Sequence, residues 1–456
     1  RGAICARRRS FPSEERSKSR LGKRVWRCHA GLVSIPTHPL QLRDYRLVWL
    51  ARFASVAATT AMVVVVAAQT YQIARTDYGY DTKQAAFLIG TLGLAQFIPF
   101  LLLTPVAGLV ADRMDRRIVG AASSGLDLIV ALILIAANTM GLVSLPLLFM
   151  MAALHGAARV FIGPAISSIV PNVVPANILP KAVATSSIAW QSASVLGPAM
   201  GGFLLARGDA LPYVWSAVLL SVGTIALLFI KPLPLKPKSA EPPIRQITEG
   251  ARFVWRERFL LGCVSLDLFA VLLGGATAML PAFAYDVLHV GDEGLGLLRA
   301  APALGAALVA LFLAFLPLAR NVGPKMLWAV VVFGLATLCF ALSNSFPFSL
   351  SMLALLGGAD QVSVFIRGTL VQLNTPDEMR GRVSSISGLA ISASNELGEM
   401  QSGLAAGLFG AVWAVALGGI GAIMVTAVWA VLFPELRRAK TFAPQYRHAP
   451  KEGSAP

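Results

Sequence analysis

Apolar residues in this chain cluster into long runs, and polar residues gather in short breaks between them. Twelve runs can be traced, at roughly 46–74, 84–111, 118–138, 145–170, 181–206, 213–230, 259–285, 294–318, 324–343, 347–372, 383–408 and 412–433. Crossing the ~30 Å hydrocarbon core of a bilayer takes about 20 residues of helix, which is the length of these runs. They lack the two-residue alternation of barrel strands, and lipid cannot satisfy the backbone groups of an open strand. The pattern therefore predicts an all-α membrane protein with 12 transmembrane helices. Composition agrees: 56% of the 456 residues are hydrophobic and 14% charged, with mean hydropathy +0.68. A soluble domain would carry about a quarter charged residues.

The net charge of +16 raises the question of nucleic acid, and the position of the charges answers it. With the amino terminus inside, the cytoplasmic breaks hold fifteen Lys/Arg, seven of them in 231–258, whereas the external breaks hold three, Arg75, Lys83 and Arg207. That asymmetry is the positive-inside rule, and it puts both termini in the cytoplasm of a multi-pass cell-membrane protein. No nucleic-acid-binding motif accompanies the basic residues, so the expected surroundings are a lipid bilayer and no nucleic acid. Residues 1–40 form a basic segment read as a disordered cytoplasmic tail; a transit peptide or a misassigned start are the other readings, and no function is attached to it. Cys5, Cys28, Cys263 and Cys339 show neither disulfide nor metal spacing. No metal and no cofactor are expected.

The break 231–258 divides the runs six and six. It begins with Lys and Pro residues that read as a stiff connector. Ile244, Ile247, Ala251 and Val254 then recur at helical spacing, with Arg245, Arg252 and Arg256 mostly on other faces. This predicts a short amphipathic helix on the inner leaflet. The expected organisation is a six-helix bundle over 41–230, the linker 231–258, a second bundle over 259–434 and a cytoplasmic tail 435–456. A shift of 201 residues superimposes Gly156 on Gly357, Pro175 on Pro376, Lys181 on Arg382, Gly197 on Gly398 and Gly202 on Gly403, without a gap. The halves thus read as copies of one repeat, the pattern of six-plus-six transporters whose substrate site lies between the halves.

Between the second and third runs stands Gly108-Leu-Val-Ala-Asp112-Arg113-Met-Asp115-Arg116-Arg117. This string resembles the loop between helices 2 and 3 of the major facilitator superfamily, although Asp115 stands where family loops usually carry Gly. The resemblance implies two pseudo-symmetric six-helix bundles, with helices 1, 4, 7 and 10 around a central cavity. It also implies an inner gate in which Asp112 and Arg113 lock the halves, Asp112 pairing with the start of helix 11; Arg116 and Arg117 can equally serve the positive-inside rule. In helix 5, Gly197-Pro198-Ala-Met-Gly201-Gly202 resembles the superfamily's antiporter motif. Physically it is a close-packing glycine face with a Pro kink, and packing alone would account for it. Phe161-Ile-Gly-Pro164-Ala165, Pro376-Asp-Glu-Met-Arg-Gly381-Arg382 and Leu432-Phe-Pro-Glu-Leu-Arg-Arg438 narrow the match. They resemble the bacterial transmembrane secretion effector branch, which includes enterobactin exporters, over roughly residues 38–440.

Charges at mid-membrane are costly and ask for a partner or a wet cavity. The 201-residue shift lays Arg159 on Asp360, each about fourteen residues, roughly 20 Å, from its outer helix end. The two are expected to face each other or cavity water. Arg159, followed by Gly163, also matches the superfamily's helix-4 pattern, which links this Arg to proton transfer; Ile162 replaces the Gln often found there. Asp360 is the expected proton carrier, tuned by Arg159, because burial and a guanidinium act on a carboxyl in opposite senses. A static pair holding the halves together is the alternative. Further candidates are Asp267 on helix 7 and the Glu396/Glu399 pair, three apart on one face of helix 11 and read as lying nearer the outer end. His155 reads as a hydrogen-bonded structural residue, Arg52 as reaching back to the inner surface, and Arg299 as an outer-end residue without function.

These features point to a secondary active transporter, a monomer working by alternating access as a proton-coupled exporter of a small amphipathic molecule such as a siderophore or drug. An uptake symporter for a sugar or metabolite is the alternative, but Ser55, Thr59, Thr60, Ser265 and Thr277 are a thin polar set for sugar. A scaffold or receptor has no need of repeat-related midplane charges. No nucleophile–base pair or phosphate loop suggests an enzyme.

Overall fold

The computed structural model describes residues 38–232, 243–315, 318 and 320–442. The basic tail expected at the amino terminus therefore falls almost wholly outside the described residues, as do the Pro-rich start of the linker and most of the carboxyl-terminal tail. Among the described residues, twelve long helices run α1 (Arg43–Thr76), α2 (Thr82–Arg113), α3 (Arg116–Met140), α4 (Leu145–Val173), α5 (Leu179–Leu205), α6 (Leu211–Leu228), α7 (Arg258–Leu273), α8 (Gly291–Phe315), α9 (Val322–Ala341), α10 (Phe346–Leu373), α11 (Asp377–Phe409) and α12 (Ala411–Leu432). Ten of these segments are long and apolar enough to cross a membrane. The exceptions are α5 and α11, whose runs are interrupted by Ser and Gly and, in α11, by Glu396 and Glu399. Both sit at the contact between the halves, where small residues matter more than apolar ones.

Local chemistry sets the helix ends. Asp81 opens α2 with a capping box: its carboxylate accepts the Gln84 N–H at 2.7 Å, while Gln84 Oε1 accepts the Asp81 N–H at 3.0 Å. Asp115 opens α3 by accepting from Arg117 N–H at 3.1 Å and from Arg117 Nε at 2.7 Å. The departure from Gly in the signature loop thus supplies an N-cap. Asp115→Ala is expected to cost about 1 kcal/mol, whereas Asp115→Gly should cost only a few tenths, because Gly is itself a tolerated cap. Thermal unfolding of the two variants in detergent checks the order.

Packing repeats from one half to the other. In the first half α1 meets α5 and α6, α2 meets α4, and α3 meets α4 and α6; the second half repeats each pairing six helices later. The halves touch through α2 on α11 and α5 on α8, again the same contact twice. Each crossing is a glycine pair: a Cβ on Gly90 would stand 2.5 Å from Gly403 Cα, and one on Gly202 would stand 2.6 Å from Gly296 Cα. Gly202 and Gly403 are partners under the 201-residue shift, so the repeat seen in sequence builds a two-fold-like interface.

These crossings lie near the outer end, the end opposite Asp115 and the linker. One apolar core spans both halves there, from Val64, Val65 and Tyr71 through Phe283, Phe340 and Leu353. At the inner end the core divides, one cluster around Tyr45 and Ile169 and the other around Cys263 and Met326. The outer seal is completed by polar contacts between the halves. Tyr71 donates to Asp286, Gln72 Nε2 to Asp292 at 3.2 Å, and Arg207 pairs with Glu293 at 2.9 Å. Lys83 Nζ donates to Leu408 O at 3.2 Å.

The seventh span departs from the expected single helix over 259–285. After Leu273 it breaks at Gly274–Gly275 and continues as a 3-10 turn (Ala276–Met279), a short α turn (Leu280–Ala282) and a π turn (Phe283–Val287). Bulk explains the break: a Cβ on Gly274 would stand 2.5 Å from the Phe333 ring, and one on Gly275 2.7 Å from Gly398 O. Irregular backbone at membrane depth is tolerated where it borders a cavity, and Gly274, Gly275 and Thr277 do so.

The linker forms a helix over Pro243–Arg256. Glu249 accepts from Arg245 at 2.9 Å and also pairs with Arg382 at the start of α11. Val254 is buried and Trp255 is 74% exposed, which gives the helix one face on the protein and one away from it.

Candidate functional site

Between the halves lies a cavity of about 1240 Å³. Arg52 of α1, Ala107 of α2, Ile166 of α4 and Arg382 and Ser385 of α11 line its inner part; Arg299 and Glu399 lie at its outer limit. It therefore opens toward the end that carries Asp115 and the linker, beneath the contacts sealed at the opposite end. Its walls mix Phe100, Val56, Ile162, Trp190 and Phe333 with charged side chains, a surface fit for an amphipathic molecule.

The charged groups meet at the cavity's roof. Arg159 of α4 donates to Glu396 Oε1 of α11, so this ion pair crosses from one half to the other. Glu396 is nearly buried, at 6% side-chain exposure, whereas Arg159 is 36% exposed and also sits over the Phe100 ring, 5.3 Å from its centroid. One turn along α11, Glu399 pairs with Arg299 of α8 at 3.5 Å, and Arg299 Nη1 donates to the carbonyl of Thr277 at 2.6 Å, which also accepts the Leu280 N–H.

These contacts correct the sequence reading in three places and sharpen it in a fourth. Arg159 and Asp360 do not pair; the partner of Arg159 is Glu396. Glu396 and Glu399 do lie nearer the outer end of α11, thirteen and ten residues from Phe409, but they face the cavity beneath the outer seal rather than external water. Arg299 is not an outer cap but a roof residue. Asp267 does not line the cavity: it is buried and paired with Arg367 of α10. Arg367 went unnoticed in the sequence although it follows Asp360 by seven residues, hence on nearly the same helical face. Asp360 does line the cavity, within electrostatic reach of Asp267 and Arg367.

The remaining candidates divide between packing and anchoring. Gly197 and Gly201 pack on α1, where a Cβ on Gly197 would stand 2.5 Å from Ala57 O and one on Gly201 3.2 Å from Ala61 Cα; Gly202 faces α8 instead. Pro198 is buried inside α5. The resemblance to an antiporter motif therefore coincides with glycines serving two different contacts, one within a half and one between halves. In the signature loop, Arg117 Nη1 donates to Ile230 O at 2.8 Å and Arg116 Nη1 to Ser168 O at 3.4 Å, so both arginines fasten α3 to its neighbours. The side chains of Asp112 and Arg113, and the surroundings of Gly108, lie outside the described residues, and with them the proposed gate contact. Arg52 donates to Ser186 Oγ at 3.0 Å rather than reaching back to the surface. His155 meets Asp127 of α3, which the sequence reading did not single out, at 2.9 Å.

A family model described as Major Facilitator Superfamily matches residues 47–399. The chain belongs to this superfamily. Its relatives include an enterobactin exporter, EntS, of Citrobacter koseri, 27% identical over 453 residues that cover 94% of this chain and 100% of the relative. The protein of the same name from Escherichia coli O1:K1 is 27% identical over 448 residues, covering 93% and 99%. Among solved structures, a bacterial homologue of the human lysosomal transporter Spinster, inward-facing and unoccupied, superimposes with a TM-score of 0.66 at 16% identity, over 89% of this chain and 99% of that one. A D-xylose–proton symporter does so with a TM-score of 0.67 at 13% identity, over 86% and 98%. These likenesses show the major facilitator fold, and the superfamily and its relatives make the chain a multi-pass membrane transport protein rather than an enzyme.

Proposed function

We propose that this superfamily member is a proton-coupled exporter of a small amphipathic molecule, with a siderophore of the enterobactin kind as the leading candidate cargo. The observation that carries the reading is the Arg159–Glu396 pair, which ties the two halves together at the roof of an inward-open cavity. An antiporter must hold still when empty and move when loaded with either proton or substrate. A charge pair across the moving interface meets that requirement. A proton on Glu396 removes the negative charge that holds Arg159. A substrate with anionic or hydrogen-bond-accepting oxygens can instead draw Arg159 away from Glu396. The emptied, deprotonated carrier re-forms the pair and stops. Asp360 faces the same cavity water and has no guanidinium bonded to it among the described residues, so it is the acid through which the proton enters and leaves.

The curated relatives' names support the cargo class, since they are called enterobactin exporters along nearly the full chain. The alternative of sugar uptake finds little support in the cavity hydroxyls. Thr59 and Thr60 donate back to Ser55 O and Val56 O of their own helix at 2.8 and 2.7 Å, and Ser265 lies outside the cavity lining, bonded to Leu261 O and Trp429. In this reading a single chain suffices, with 41–230 and 259–434 as the rocking bodies and 231–258 joining them. Both termini lie in the cytoplasm, as the lysine and arginine asymmetry requires.

Inside-out membrane vesicles with an acidic lumen test the proposal, using enterobactin as probe. Antiport predicts that enterobactin added to the bath accumulates in the lumen, and that a protonophore abolishes the accumulation. Accumulation indifferent to the gradient, or driven only when the bath is the acidic side, would reject proton-coupled export.

A further inference from the structure

Away from the roof, α3 and α4 bring together two titratable side chains that the proposed cycle does not use. Asp127 is fully buried and His155 is 6% exposed, and His155 Nδ1 lies 2.9 Å from Asp127 Oδ1. Both border the central cavity. Among the described residues, the second carboxylate oxygen, Asp127 Oδ2, is buried without a hydrogen-bond partner, as is the hydroxyl of Ser124 one turn earlier on α3. A bare carboxylate so short of donors is costly in a low dielectric. An imidazolium beside it, or a proton on the carboxyl itself, removes the uncompensated charge. In either form the pair holds one proton more than a carboxylate with a neutral imidazole, and the proton belongs to the pair.

We propose that Asp127 and His155 form a second proton-binding site, lodged in the amino-terminal half, that exchanges its proton with the cavity. The site stands whatever the cargo and whatever the direction of transport. Its surroundings also give it a way to sense the roof. His155 and Arg159 are four residues apart on α4, so their side chains share one face, about 5–6 Å apart at Cβ. While Glu396 neutralises Arg159, an imidazolium at 155 meets little repulsion. Once that pair opens, the unneutralised guanidinium works against the imidazolium and favours release of its proton. The other helices packed on α3 and α4, namely α1, α2, α5 and α6, carry their described titratable side chains toward the helix ends. Of these, Arg52 borders the same cavity and is held by Ser186.

The test uses the full chain in lipid nanodiscs with nitrogen-15 labelled histidine and reads no transport, so it stands apart from the export experiment. The chain has five histidines, and His155→Gln identifies the ring signals of this one. The ring signal of His155 is followed across about pH 5–8, the window in which imidazoles exchange their proton, and is expected to change with pH. Its midpoint should move to lower pH by about one unit in Asp127→Asn, which removes the counter-charge, and also to lower pH in Glu396→Gln, which leaves Arg159 uncompensated. A merely structural hydrogen bond would not respond to Glu396. A signal constant over this range, or a midpoint unmoved by Asp127→Asn, overturns the site. Should Asp127→Asn fail to fold, the Glu396→Gln midpoint decides in its place.

Discussion

Glu396→Gln is expected to fold, to bind substrate and to lose gradient-driven accumulation by at least about tenfold, the factor that ~1.4 kcal/mol of coupling corresponds to. Neutral Gln leaves Arg159 without the charge that ties it across the interface, so the empty carrier is free to reorient. Stability should fall only modestly, because Arg159 is 36% exposed to the cavity and water can solvate the released guanidinium. The distinguishing measurement is downhill efflux of enterobactin from preloaded vesicles with no proton gradient and no substrate on the far side. The Gln variant should release it faster than wild type, since the return of the empty carrier is no longer braked. Asp360→Asn should behave otherwise: it loses gradient-driven accumulation without the faster efflux, because the brake is intact and only the proton's entry is gone. Equal efflux from Glu396→Gln and wild type would remove the brake from the mechanism.

Gly202→Leu is expected to shift the protein away from the inward-open form. A Cβ there already stands 2.6 Å from Gly296 Cα, so a branched side chain cannot be seated while α5 and α8 keep their approach. Overpacking of this kind costs about 1–3 kcal/mol. Borne by one of two conformations, it changes their ratio about 5- to 150-fold. Spin labels at Asp209 and His289, at the outer ends of the two halves, read the change as a distance distribution moved to longer values. Gly403→Leu should do the same, since the repeat places Gly403 against Gly90 at the equivalent crossing. An unchanged distribution in both variants would show that the outer glycine contacts do not hold the halves together.

Much of this architecture is written in the order of residues. The twelve runs, the linker helix and the interface glycines at 202 and 403 follow from hydropathy and one internal shift, because each reports on solvent or on close backbone approach. The partners of the charged residues do not follow so directly. Arg159 and Asp360 stand at equal depth in the repeat, and that equality suggested a pair. Depth alone does not say which way a side chain turns about its helix. Glu396 stands at the same depth as Arg159, counted back from the outer end of α11, and that count would have proposed the contact observed. Arg367 could be suspected from its seven-residue spacing to Asp360. Asp127 carries no comparable signal, because a lone acid in an apolar run says only that some partner exists. The break after Leu273 needed two glycines to be read as a pair against Phe333 and Gly398, which are distant in sequence.

The way nonpolar packing is shared out has a consequence for the order of events. Outside, both halves contribute to one continuous mass that runs from Val64 to Leu353; inside, each half closes over its own smaller cluster. Reorientation has to pull the common mass apart before the inner clusters can meet, so in the proposed export cycle the carrier waits with its vestibule open toward the linker end. For a pump whose cargo is made in the cytosol, that leaves the waiting carrier already turned toward its supply.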